Sequence, residues 1–380
     1  FGSSACSYHC PAWPNIAGPM PGTRNGWAAR VQAALLLAGA VSPTRGVMRI
    51  PLTPMRRPAA KFLAKQMGGL PLANYFDVVY TAEIDVGTPG QPFRVSFDSN
   101  GDHTWLPAKA ALAAGTKHVY FAPGDSSTFR WINRAFIQGP ELYGRMARDA
   151  FSFGPSMRIE RFEFGVVTNM TSEGYEDGKA DGSVGLGFGT SAVPPVLQAL
   201  KDAGGIEEPV FAFDLRHTGG ASELTLGGPS PERAGGSFSY VNLATPDWWS
   251  VPLDSVWVGD EVCFTHVGTA ILNPSHFQIL GPEDQLTDFT AAWNATLQDA
   301  LWVVPCGQQG PPLHFRIQGR EFTIAKDDFI VKDGGICYFM VGTIASDDHS
   351  WLLGQPFLRK FYTVFDAGRK RVGSARPSAP

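Results

Sequence analysis

Hydrophobic positions along this 380-residue chain come in short runs, repeatedly broken by Gly, Pro, Asn and Asp. Sustained 3.6-residue periodicity is scarce, so the pattern predicts an all-β protein with many turns. Thr269-Ala-Ile-Leu272 is one such short apolar strand. Two stretches break the rule. Pro194-Pro-Val-Leu-Gln-Ala-Leu-Lys201 opens on proline and is closed by Gly204, the usual punctuation of a helix. Asp284 to Leu301 carries Leu286, Phe289, Trp293 and Leu297 at helical spacing, which predicts a second helix facing the core.

Composition supports this picture. The 43 Gly and 30 Pro make about a fifth of the chain, while 26 Phe and 10 Trp supply bulky core residues. The length is enough for two substantial cores. Net charge is −4, but its distribution is uneven. Residues 1–76 hold eight Lys or Arg and no Asp or Glu, which leaves 23 basic and 35 acidic residues in 77–380, a net of −12. A basic head on an acidic body suggests an electrostatic clasp. It argues against nucleic-acid binding, because the body would repel phosphate. The histidines show no metal-ligand spacing, and no metal or cofactor is expected.

The first residues read as a leader over 1–42. From Met20 the chain passes through Arg24 and Arg30 to Val31-Gln-Ala-Ala-Leu-Leu-Leu-Ala-Gly-Ala-Val41, then Ser42-Pro43. A basic start, a short apolar run and small residues at its end describe a secretory signal peptide. The run is too short to span a bilayer, and no other stretch approaches about 20 apolar residues. The expected location is therefore the secretory pathway, leading outside the cell or to a lysosome- or vacuole-like compartment.

Six segments occur in a telling order. They are Tyr80-Thr-Ala-Glu-Ile-Asp-Val-Gly-Thr-Pro-Gly-Gln-Pro-Phe93, Val95-Ser-Phe-Asp-Ser-Asn-Gly101, Ala180-Asp-Gly-Ser-Val-Gly-Leu-Gly187, Glu223-Leu-Thr-Leu-Gly-Gly228, Thr269-Ala-Ile-Leu-Asn-Pro-Ser-His-Phe-Gln-Ile-Leu-Gly-Pro282, and Trp351-Leu-Leu-Gly-Gln-Pro-Phe357 with its continuation to Gly373. Together they resemble the pepsin-like aspartic protease family of secreted zymogens. The resemblance implies a bilobal all-β fold, with lobes at about 75–232 and 233–380, a cleft between them and a flap near Phe136–Leu142. It also implies that the basic stretch 43–74, opening Arg49-Ile-Pro-Leu52, is similar to the family's activation segment. Cys306 and Cys337 sit where the family closes a disulfide. Cys263 lacks its family partner, since Gly268 stands there, and is expected to be a free buried thiol. Asn169-Met-Thr and Asn294-Ala-Thr are glycosylation sequons.

The chemistry of the family needs two carboxylates sharing a proton. Here Asp98 fills the first place and Asn273 the second. Asn can form hydrogen bonds but cannot exchange a proton in this range. Neighbouring positions depart as well. Ser99 keeps the hydroxyl that locks the loops across the lobes, but Pro274 has none. Asn100 and Ser275 stand where the family has Gly, and Gly101 and His276 where it has Ser or Thr. The flap tyrosine's place falls on Ile137, although its packing partner Trp105 remains. Asp98 is then either a structural carboxylate held by loop amides or a residual ligand-binding acid. His276 is a candidate substitute for the missing acid, and Asp102 is expected to cap or solvate its turn.

The expected function is that of a catalytically impaired, monomeric homologue that binds a peptide or protein in the cleft. An active aspartic-type endopeptidase and an inhibitor-like binding protein of another hydrolase are the alternatives.

Overall fold

The computed structural model describes residues 47–55 and 79–379, apart from 140, 155–156, 172–174, 177, 190–192, 217–221, 261, 265–266, 299–300 and 345–348. The stretch expected to be a signal peptide, the remainder of the basic segment and the side chain of Cys263 lie outside the described residues.

The strands follow the alternation of the sequence. β1 is Met48–Met55, β2 Val79–Val86 and β3 Gln91–Asp98. In β3, Phe93, Val95 and Phe97 are buried while Arg94 between them is exposed, the period-2 pattern of a half-buried strand. Its register on β2 places Phe93 opposite Ile84 and Val95 opposite Ala82, so both strands present one apolar face. β4 is Trp105–Pro107. A long hairpin follows, β5 Arg130–Gln138 and β6 Leu142–Ser152, backed by β7 Arg158–Met170. β8 is Gly182–Gly185, and β9 (Val210–Asp214) and β10 (Ser222–Leu226) are buried throughout.

These ten strands, together with Ser239–Asn242, Tyr362–Asp366 and Arg371–Ala375, form one thirteen-stranded sheet. β1 makes it continuous. Its first half pairs with β10, from Met48 opposite Leu226 to Leu52 opposite Ser222. Its second half pairs with β2, from Thr53 opposite Thr81 to Met55 opposite Val79. Three smaller sheets build the C-terminal part. The result is the all-β, bilobal pepsin-like architecture that the segment order implied. One apolar cluster runs through both halves. At its centre Phe211 stacks on Phe365 with ring centroids 4.5 Å apart, and Trp249 meets both edge-on.

Both expected helices form, with one correction. Val196–Asp202 buries Val196, Leu197 and Leu200. The second runs only over Glu283–Ala292, burying Leu286 and Phe289 with Trp293 just beyond it. Asn294 then takes a left-handed conformation (φ 49°), which stops the helix. The chain continues as the strand Thr296–Gln298, and Leu297, expected in the core, is 60% exposed. Among the described residues no helix is long and apolar enough to cross a membrane.

β1 should behave as an integral strand. Ile50 is buried between the two halves of the sheet. Ile50→Ala is expected to destabilise the fold by about 2–5 kcal/mol in chemical unfolding, the usual result of truncating a buried aliphatic side chain. An unchanged midpoint would mean that β1 is detached in solution.

Candidate functional site

Two loops built on the same plan meet at the centre. β3 ends at Asp98 and runs parallel to β8. The Asp98 carbonyl accepts a hydrogen bond from the Leu186 amide (2.8 Å), and the Gly101 carbonyl accepts one from Gly187 (3.0 Å). In the second half, Thr269–Leu272 runs parallel to Trp351–Leu353. There the Asn273 amide donates to the Leu353 carbonyl (3.1 Å), and the Gln355 amide donates to the His276 carbonyl (2.8 Å). Asn273 thus stands at the place of Asp98, and His276 at that of Gly101. Each loop presses against a glycine. A Cβ on Gly185 would lie 2.4 Å from the Gly101 oxygen, and one on Gly354 would lie 2.2 Å from the Gln278 oxygen.

Asn273 keeps the structural duty of a carboxylate. Asp98 Oδ1 accepts from the Asn100 amide two residues on (3.0 Å), and Asn273 Oδ1 accepts from the Ser275 amide at the same spacing (2.8 Å). This turn needs only an acceptor oxygen, so amide and acid serve equally. Proton exchange is what the amide cannot supply.

The lock between the loops corrects the sequence reading. Ser99 Oγ donates across to the Leu272 carbonyl (2.9 Å), as expected. Pro274, without a hydroxyl, had implied that the return bond is missing. It is made instead by Ser275, whose Oγ donates to the Phe97 carbonyl (2.8 Å). Each hydroxyl therefore reaches the residue just before the opposite loop's Asp98 or Asn273. The second hydroxyl has moved along the chain by one position. Pro274 is buried beside it, and its carbonyl accepts from Gln355 Nε2 (3.2 Å).

Electrostatics follow from this enclosure. Burial pushes the Asp98 carboxyl above its ordinary range. The Asn100 and Gly101 amides and the Ser275 hydroxyl oppose the shift, and nearby Asp102 adds to it. Burial holds the His276 imidazole below its usual pKa, which favours the neutral ring. Its Nδ1 lies 3.3 Å from both the amide and the carbonyl of Gln278, a backbone contact that opposes the shift, and the ring stacks on Phe277. Asp98 is not among the groups that shift it. Burial likewise lowers His103, with Asp102 opposing. Asn100 Oδ1 is buried with no hydrogen-bond partner among the described residues, which is the cost of an amide where glycine has no side chain.

The flap hairpin places Ile137 where alignment put it, but 61% exposed, opposite Tyr143. The inward aromatic is its neighbour Phe136. It is buried with Met146, Val167 and Val193, against Trp105. His103 meets its ring edge-on at 5.8 Å. A register irregularity between Trp131 and Ala135 accompanies this strand, and Gly165 leaves room for the ring, since a Cβ there would lie 2.3 Å from it. The cue in the sequence was the glycine, not the aligned position.

The remaining candidates fall as follows. Cys306 and Cys337 form a disulfide with Cα atoms 5.1 Å apart, closing a separation of 31 residues. A loop of that size contributes about 3–4 kcal/mol in the chain-entropy model. Asn169, on β7 opposite Tyr143, and Asn294 are both exposed. Among the described residues no group of three or more His, Cys, Asp or Glu is arranged to hold a metal.

Two loops of this plan, locked by crossing hydroxyls beneath a hairpin flap, define the aspartic protease scaffold. The family model described as eukaryotic aspartyl protease matches residues 79–377, and the chain belongs to that family. Among curated relatives, rat (Rattus norvegicus) cathepsin E is 31% identical over 330 residues, covering 82% of each chain. Pregnancy-associated glycoprotein 1 of Ovis aries is 30% identical over 332 residues, covering 83% of this chain and 86% of its own. Pregnancy-associated glycoprotein 2 of Bos taurus is 29% identical over 318 residues, covering 80% and 84%.

Two outcomes are expected. Ser99→Ala should destabilise the protein by about 1–3 kcal/mol, because it leaves the buried Leu272 carbonyl unpaired, and Ser275→Ala by about 0.5–1.5 kcal/mol, because Ser275 itself is exposed. A neutral Ser275→Ala would remove Ser275 from the lock. The second outcome concerns pH. With its pKa raised on folding, Asp98 holds its proton in the native state after the unfolded chain has lost it. Stability therefore falls as pH rises from the ordinary carboxylate range through the raised value. Asp98→Asn should gain on the parent between pH 3 and pH 7 in denaturant unfolding, and a pH-independent difference would contradict this.

Proposed function

We propose that this chain is a pseudoprotease of the pepsin family, which binds an extended peptide or protein segment in its interlobe cleft without cleaving it. The observation that carries this reading is Asn273, at the structural place of Asp98, with its Oδ1 committed to the Ser275 amide. In a working dyad the ionised carboxylate takes a proton from water while the protonated one donates to the peptide carbonyl. One buried acid cannot play both parts. Losing one general acid–base partner costs about 10²–10⁴-fold, and groups that act as a unit lose more. His276 is a poor replacement, because burial favours its neutral form and its Nδ1 is engaged with the Gln278 backbone.

The same reading places the protein in the secretory pathway. The signal-like stretch after Met20, the Cys306–Cys337 disulfide and the exposed sequon residues Asn169 and Asn294 all fit an oxidising route. With no dyad to cut it, the basic segment would stay attached or be removed by another protease.

Peptide hydrolysis at acid pH tests the proposal, with the parent run beside Asp98→Ala and Asn273→Asp. The parent should match Asp98→Ala. Asn273→Asp should raise the rate by about 10²-fold or more, since both crossing bonds are already in place. Cleavage by the parent that Asp98→Ala abolishes would make the chain an active endopeptidase instead.

A further inference from the structure

One cavity among the described residues lies away from the paired loops. It is a cleft of about 760 Å³ in the C-terminal half, between the sheet strands Ser239–Asn242 and Arg371–Ala375 on one side and the strand Arg320–Ile324 with the end of the helix Gln355–Lys360 on the other. That volume is in the range of small-molecule sites.

Its lining has a clear chemical bias. Arg320, Lys360 and Arg376 all border it. Lys360 is paired with Asp328. Neither the Arg320 nor the Arg376 guanidinium has an ion-pair or hydrogen-bond partner among the described residues. The one acid in the lining, Glu321, is turned to His314 Nδ1 (3.0 Å). Two uncompensated guanidinium groups therefore share one cleft on a body whose net charge over 77–380 is −12. The sheet wall carries the hydroxyl-bearing residues Ser239 and Ser374, register partners across the two strands. The opposite wall is aromatic, with Phe322 meeting Phe361 edge-on at 5.1 Å.

We propose that this cleft is a binding site for a small oxyanion-bearing ligand with a flat apolar body. Its phosphate or sulfate group is held by Arg320 and Arg376 with help from the serines, and its ring lies against Phe322 and Phe361. Guanidinium groups suit such anions because they offer several donors in a plane. The site is separate from the interlobe cleft and does not depend on whether the chain hydrolyses peptides.

Calorimetric titration of the full-length chain with phenyl phosphate, inorganic phosphate and phenyl sulfate tests this. Phenyl phosphate should bind with a Kd of about 1 mM, in line with the affinity of a ligand that small. Inorganic phosphate should bind about fivefold more weakly. Phenyl sulfate decides which anion source the site favours. The double variant Arg320→Ala/Arg376→Ala should lose about tenfold or more in affinity while keeping the parent's thermal midpoint. Arg161→Ala, an exposed residue elsewhere, should bind as the parent does. Absence of saturable binding by either aryl ester, or equal binding by the double variant, would overturn the proposal. So would inorganic phosphate binding as tightly as phenyl phosphate.

Discussion

The geometry at the centre of this molecule depends on a reciprocal pair of hydrogen bonds, Ser99 to the Leu272 carbonyl and Ser275 to the Phe97 carbonyl. Each joins a loop of one half to the strand end of the other. Ser99 and the two carbonyl residues, Leu272 and Phe97, are buried, where an unpaired polar group is expensive, while Ser275 itself is exposed. The pair holds the two loops in one relative position, and with them Asp98 and Asn273. The requirement is only that a hydroxyl lie within reach, which is why it could move from one residue to the next. The acid's place has no such latitude, because the amide of Asn273 fills the acceptor role but exchanges no proton. The structural duty and the acid–base duty of that position are separable.

A second fastening works away from the cleft. Asp214 is fully buried at the end of β9, and its two oxygens take both arms of Arg216 (2.7 and 2.8 Å) and one of Arg233 (2.6 Å). Arg233 also pairs with Glu223 on β10, and Arg216 reaches the Ser378 carbonyl. The knot ties the end of the chain to the sheet beside β1. A buried carboxylate with three charged donors is tolerable because its lone pairs are satisfied, whereas removing one partner would strand a charge.

Most of the architecture was legible because it is written in local signals. Short apolar runs between turn residues predicted an all-β chain, and proline and glycine bracketed the helix Val196–Asp202. The order of the six segments implied the bilobal arrangement and the place of both loops. What could not be read depended on the path of the backbone. Nothing in Asn-Pro-Ser-His announces that Ser275 can reach past a proline to Phe97, since that depends on the approach of a loop distant in sequence. Phe136 rather than Ile137 faces inward because of an irregularity in strand pairing, and a single register step exchanges the two faces of a strand. The second helix ended early because one residue, Asn294, adopts a conformation that helical periodicity does not report.

The position of β1 separates two kinds of connection that a chain usually has together. It is joined to its neighbours by ladders on both sides, five residue pairs to β10 and three to β2. On its C-terminal side it is joined to the body by the single covalent segment 56–78. Cutting that segment would change the molecule's covalent count without changing its sheet. The product would be a non-covalent heterodimer of the N-terminal piece that carries β1 and a large body, one species under native conditions and two under denaturing ones. For such a strand, cleavage and release are different events, and only the second would open the central sheet.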